Sequence, residues 1–203
     1  MKYLSCILLG YALGSISLAT IFSKIKNVNL KESGTKNLGA TNAMLVMGKG
    51  FGALVMVLDV LKAVAAVVLA RCIFPNFSAA GILGGASAVL GHIFPFYLKF
   101  RGGKGLACFA GMILALDPVL FLNMLVLCVG LIIIFNHSVV APFTAAVVFP
   151  TFYCAGHPDD TQVVIIAVLV SLLLALRHIP DIIRFKNGGD EKIRDFISKK
   201  NRK

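Results

Sequence analysis

Val119-Leu120-Phe121-Leu122-Asn123-Met124-Leu125-Val126-Leu127-Cys128-Val129-Gly130-Leu131-Ile132-Ile133-Ile134-Phe135 carries no charge, and Asn123 is its only strongly polar side chain. At 1.5 Å per residue a helix of this length spans about 26 Å, close to the ~30 Å hydrocarbon core of a bilayer. Residues 162–176 form a second uncharged run. Hydrophobic residues make up 58% of the 203 positions and charged residues only 14%, too few charges to wet the surface of a soluble domain. These features predict an all-α integral membrane protein.

Working outward from that run, the charge, proline and glycine clusters divide the chain into about seven transmembrane helices. They cover roughly 3–23, 43–73, 79–94, 106–116, 119–135, 139–153 and 162–176. The first is read as a retained helix rather than a signal peptide, because it is long for such a segment and Gly14, Ser15 and Ser17 suit close helix packing. The fourth is short for a full crossing, and five crossings with a re-entrant pair is the alternative. No repeat or linker divides the chain. It reads as a single membrane domain over 1–203, with a transmembrane bundle at 1–177 and a basic tail at 178–203.

The net charge is +11, and its placement argues for topology rather than nucleic-acid binding. Lys24, Lys26, Lys31, Lys36 and Lys49 share one predicted side with Lys99, Arg101 and Lys104, and with every basic residue from Arg177 onward. Lys2 and Arg71 fall on the other side, whose turns carry Asp117, Asp159 and Asp160. The positive-inside rule then puts the N-terminus outside and the C-terminus and basic loops in the cytoplasm. The five cysteines have no paired spacing, so no metal or redox cofactor is expected.

Three of the inner segments carry candidate chemistry. Ser33-Gly34-Thr35-Lys36-Asn37-Leu38-Gly39-Ala40-Thr41-Asn42 combines glycines with hydroxyls and amides, and Thr41 or Asn42 is placed to cap the next helix. In Arg101-Gly102-Gly103-Lys104-Gly105, two cations flank a glycine pair just before an apolar helix, a pattern suited to a phosphate. It is not a Walker A loop, since Leu98 and Gly105 stand where that pattern needs Gly and Ser/Thr. Arg177-His178-Ile179-Pro180-Asp181-Ile182-Ile183-Arg184 supplies a histidine able to move a proton near neutrality. Asp59 and Lys62, three apart, read as an internal pair on one helix face.

Together these segments resemble the PlsY family of bacterial membrane acyltransferases over nearly the whole chain. The likeness rests on Asn37-Leu38-Gly39-Ala40-Thr41-Asn42, on Leu58, Asp59 and Lys62, on Gly91-His92 through Gly105, and on Arg177-His178 with Asp181 and Arg184. The resemblance implies acyl transfer from acyl phosphate to the sn-1 hydroxyl of glycerol 3-phosphate, at the cytoplasmic face of the bacterial cell membrane and without a cofactor. The fatty chain of the donor would lie between helices, among the membrane lipid. Thr35, Lys104 and His178 are the implied catalytic residues. Lys36, Asn37, Thr41, Asn42, His92, Arg101, Gly102, Gly103 and Asp181 are implied to bind substrate or phosphate.

The chain departs from the family pattern at Thr35 and Lys36, where a serine and a glycine are expected. It departs again at Leu45, where an arginine is expected, and at Pro180-Asp181, where Glu-Asn is expected. Lys36 is read as replacing the missing cation, and Asp181 as receiving hydroxyls of the acceptor. The rival readings are a transporter or non-catalytic lipid-binding protein using the same basic loops, and a diverged paralogue. Oligomeric state is open.

Overall fold

The structure is a computed structural model describing residues 1–187; the basic residues expected beyond them lie outside the described residues. Among the described residues it is all-helical: α1 (Lys2–Ser15), α2 (Leu18–Ile25), α3 (Ala40–Met47), α4 (Lys49–Ile73), α5 (Ala80–Ile93), α6 (Leu106–Leu116), α7 (Pro118–Phe135), α8 (Val140–Ala155) and α9 (Thr161–Lys186), with a 3-10 turn at Phe96–Leu98. Five stretches are long and apolar enough to cross a bilayer: Lys2–Ile25, Lys49–Ile73, Ala80–Leu98, Pro118–Phe135 and Thr161–Lys186. The shorter apolar helices Leu106–Leu116 and Val140–Ala155 complete the seven expected segments.

The bundle is organised around α5, where twelve of fourteen residues are buried. Its sequence, rich in Gly and Ala, lets neighbouring backbones approach closely, the usual basis of helix association where lipid removes any hydrophobic drive between helices. A Cβ on Gly10 of α1 would lie 2.1 Å from the Gly84 carbonyl oxygen, and one on Gly14 would lie 2.0 Å from that of Ala88. In the other direction, a Cβ on Gly91 would meet the Tyr11 carbonyl at 2.3 Å. Against α4, Gly111 of α6 is pressed to the Val60 carbonyl in the same way. The aromatic part of the core is made by Phe109 and Phe149, edge to face at 5.3 Å, with Tyr153 stacked on Phe149.

Two helix boundaries differ from expectation, each for a local reason. The first segment breaks at Ile16-Ser17, and the Ser17 hydroxyl caps α2 by accepting from the Thr20 N–H. The segment expected at 43–73 divides at Gly48, whose φ of +97° turns the chain sharply so that α3 folds back on α4, with Gly52 against Met44. The last apolar run is expected to end at 176 with the tail beyond it helical in part, and α9 continues through Pro180 to Lys186. Proline removes one backbone bond, which a helix packed among neighbours tolerates. At the starts of α7 and α9 the signals agree with the sequence. Asp117 accepts from the Leu120 N–H ahead of Pro118, and Asp160 accepts from the Val163 N–H. Hydrogen bonds from Ser78 and the Val163 amide hold the Asp160 carboxyl below the usual carboxylate range.

The two ends of the bundle differ in charge. At one, the α1–α2 break, the 30–42 loop, the 94–105 loop and the end of α9 gather. Leu98 packs on the cluster of Leu30, Leu38 and Ala19, and Arg177 lies over the Phe94 ring at 5.5 Å. At the other, the Tyr3 hydroxyl donates to Gln162 Oε1, and Arg71 donates to the Ala115 carbonyl at the end of α6.

Candidate active site

The 94–105 loop forms the floor of the basic end, and its path follows from bonds to the end of α5. The Gly102 N–H donates to the Ile93 carbonyl at 3.0 Å and the Gly103 N–H to the His92 carbonyl at 3.1 Å. Neither glycine leaves room for a side chain: a Cβ would come to 2.0 Å from His92 O at Gly102 and 2.1 Å from His92 Nε2 at Gly103. The backbone pair expected to hold phosphate thus lies against the end of α5. Both amides are committed to α5, and the glycines are there for close approach. Gly105, at φ +94°, then turns the chain into α6.

His92, also expected to bind substrate or phosphate, lies against this loop. Its Nδ1 lies 2.9 Å from the Lys62 ammonium and 3.3 Å from Asp59 Oδ1, and its side chain is buried. An ammonium has three donors and no acceptor. Those of Lys62 go to Asp59 Oδ1 at 2.8 Å, to His92 Nδ1 and to the Ile16 carbonyl at 3.0 Å. The other ring nitrogen of His92, Nε2, faces Gly103. The Asp59–Lys62–His92 group thus supports the loop from below. It also satisfies non-helical backbone at the α1–α2 break, as membrane depth demands. Tyr97, not singled out from the sequence, completes this support: its hydroxyl donates to the Ser15 carbonyl and accepts from the Ser17 N–H, both at 2.9 Å. A lone loop tyrosine carries no sequence signal for that role.

In the 30–42 loop the organiser is Asn42, fully buried. Its Oδ1 accepts from the Thr35 N–H at 2.7 Å, and its Nδ2 donates to the Leu30 and Asn37 carbonyls, each at 2.9 Å. These three bonds are all internal, so Asn42 shapes the loop. Neither Asn42 nor Thr41 caps α3, which begins at Ala40 with Gly39 as its N-cap. Lys36 is exposed in a left-handed conformation at φ +59°, beside half-buried Thr35 and Asn37. Thr41 is exposed. Leu45, where a cation was expected, is 48% exposed.

The third segment is where the elements meet. His178 and Asp181 lie three apart on α9 and share a face. The His178 ring is buried, and its Nδ1 sits 2.9 Å from the Leu174 carbonyl. A carbonyl only accepts, so Nδ1 carries the proton and Nε2 is left for chemistry. Asp181, expected to receive acceptor hydroxyls, forms an ion pair through Oδ1 with Lys104 from the loop. Arg101 is exposed nearby in sequence, with its backbone tied to Leu98. The structure thus brings Lys104, His178 and Asp181 together, with Asn42, His92, Gly102 and Gly103 in the frame around them.

Fold and site define a class: a polytopic helical membrane protein with a lysine–histidine–aspartate cluster at a basic end. Comparison with known proteins narrows that class. The profile of the glycerol-3-phosphate acyltransferase family matches residues 4–188. The chain is 32% identical to the glycerol-3-phosphate acyltransferase of Aquifex aeolicus (strain VF5), covering 95% of this chain and 100% of that one. It is 36% identical to that of Rhodopseudomonas palustris (strain BisB5), covering 94% and 96%. A crystal structure of PlsY (YgiH), an integral membrane glycerol 3-phosphate acyltransferase, in its glycerol 3-phosphate form superposes with a TM-score of 0.86 at 30% identity, covering 95% of this chain and 96% of that one. The lysophosphatidic acid form gives 0.83. The chain belongs to the PlsY family of glycerol-3-phosphate acyltransferases.

Proposed function

We propose that this protein transfers a fatty acyl group from acyl phosphate to the sn-1 hydroxyl of glycerol 3-phosphate, releasing inorganic phosphate and lysophosphatidic acid at the cytoplasmic face. The observation that carries the reading is the meeting of Lys104 with His178 and Asp181 at the basic end of a bundle of this family. The hydroxyl oxygen attacks the acyl carbonyl carbon, the carbonyl–oxygen bond to phosphate breaks, and the phosphate departs with its electron pair. The hydroxyl proton passes to the leaving phosphate, directly or by way of His178 Nε2. Acyl phosphate has a good leaving group, so the protein's work is positioning and charge neutralisation.

With the Gly102 and Gly103 amides engaged, the phosphate is held by the Lys104 and Arg101 side chains and the N-terminal end of α6. Lys36 and the Thr35 hydroxyl contribute from the 30–42 loop. A transport role loses its best candidates, because Asp59 and Lys62 satisfy one another and their backbone neighbour. The deciding experiment supplies purified protein with acyl phosphate and glycerol 3-phosphate and follows phosphate release. Release that requires both substrates and yields lysophosphatidic acid supports the reading. Absence of turnover in the native chain, restored by Leu45→Arg with Asp181→Asn, would identify a diverged paralogue instead.

A further inference from the structure

Two lysine–aspartate pairs occur in the described core of this protein, and they are built differently. In the Asp59–Lys62 pair the side chains are 3% and 7% exposed, and each of the three lysine donors has a fixed acceptor. In the Lys104–Asp181 pair the side chains are 24% and 20% exposed, and Asp181 is the acceptor of Lys104 among the described residues. The first pair is permanent. The second leaves two ammonium donors without an acceptor among the described residues and stands within reach of solvent, so it can be exchanged for another anion.

Its two supports are held independently. The Lys104 backbone follows a glycine pair bonded to the end of α5, while Asp181 rides on α9, one turn from His178. A carboxylate and a phosphate oxygen are chemically similar partners for an ammonium, and both cannot neutralise it fully at once.

We propose that Asp181 is a displaceable internal counter-ion for Lys104, which cedes the ammonium to an incoming phosphate group and reclaims it as inorganic phosphate leaves. This rests on the reading of Lys104 as a phosphate-holding residue. Asp181 is here a positioning residue. It keeps the flexible lysine stem aimed at α9 before substrate arrives, and it weakens the grip on the leaving phosphate afterwards. The effect is to favour product release over tight binding.

The test is calorimetric binding of inorganic phosphate and of glycerol 3-phosphate to the full chain in detergent micelles, which needs no turnover. Asp181→Asn is expected to tighten inorganic phosphate by about three- to thirtyfold, the span set by a partly exposed ion pair. In a Lys104→Ala background the same substitution should change nothing, an outcome that a purely structural role for Asp181 does not predict. In turnover, Asp181→Asn should show stronger product inhibition by phosphate. Unchanged or weaker phosphate binding in Asp181→Asn overturns the proposal. Asp181→Ser repeats the measurement if Asp181→Asn does not fold, and failure of both to fold makes the pair structural and ends the proposal. A native chain that binds phosphate without transferring acyl groups would sink the acyltransferase reading alone.

Discussion

The Lys62 ammonium donates to the Ile16 carbonyl at 3.0 Å across the gap between α4 and the break in the first transmembrane segment. A charge that looks costly in a membrane helix thereby serves a backbone group that no helix can satisfy, with Asp59 balancing it. Lys62→Ala is expected to destabilise the protein by about 3–5 kcal/mol, because it leaves a buried carboxylate unpaired. Adding Asp59→Ala should recover part of that loss, as coupled sites do. Thermal unfolding in detergent reads both. Equal stability of the single and double variants would count against the pairing.

The packing of α1 on α5 makes a sharper stability prediction. Gly14→Ala should cost about 1–3 kcal/mol, since its Cβ would sit 2.0 Å from the Ala88 carbonyl oxygen. Gly130→Ala on α7, which has nothing within 4 Å of its Cβ, should lie within about 0.5 kcal/mol of the native chain. The pair of variants separates helix contact from a general effect of glycine in helices.

Asn42→Asp should be more damaging than its size suggests. The change turns a donor that faces the Leu30 and Asn37 carbonyls into a third acceptor. A loss of about 2–4 kcal/mol is expected, together with loss of activity as the 30–42 loop shifts. Retained stability with lost activity would return Asn42 to the list of substrate ligands.

For Lys104→Ala, acyl transfer should fall by roughly 10- to 150-fold, the equivalent of about 1.5–3 kcal/mol for a charge-assisted contact, while unfolding temperature changes little. Lys36→Ala should also lower the rate if its charge stands in for the cation that Leu45 lacks. Steady-state kinetics with both substrates measures each. A silent Lys104→Ala would reduce that residue to an anchor at the membrane interface.

Topology is tested by single cysteines in a cysteine-free background. Gly102 is a poor probe position, because any side chain there collides with His92. Exposed Lys31 and Asp159 serve instead. In intact cells an impermeant reagent should modify Asp159→Cys and leave Lys31→Cys untouched. The reverse pattern would invert the assigned orientation.

The sequence by itself determined the solvent this protein lives in and the order of its helices. Runs without charge have one stable fate in a bilayer, and Asp117-Pro118 and Asp160 mark helix starts through purely local capping. The glycine-rich loops and the basic segments were legible for the same reason, since composition alone tells where backbone is free and charge collects. Tertiary structure decided what those residues do. Lys104 and Asp181 are 77 positions apart, and no local pattern predicts that they neutralise each other. Asn42, His92 and the Gly102-Gly103 pair are ligands implied by the family resemblance, and no sequence pattern shows the internal bonds they make. Whether a buried polar group faces a substrate or its own backbone depends on which donors and acceptors the packed helices bring opposite it, and that is fixed only when the chain has folded.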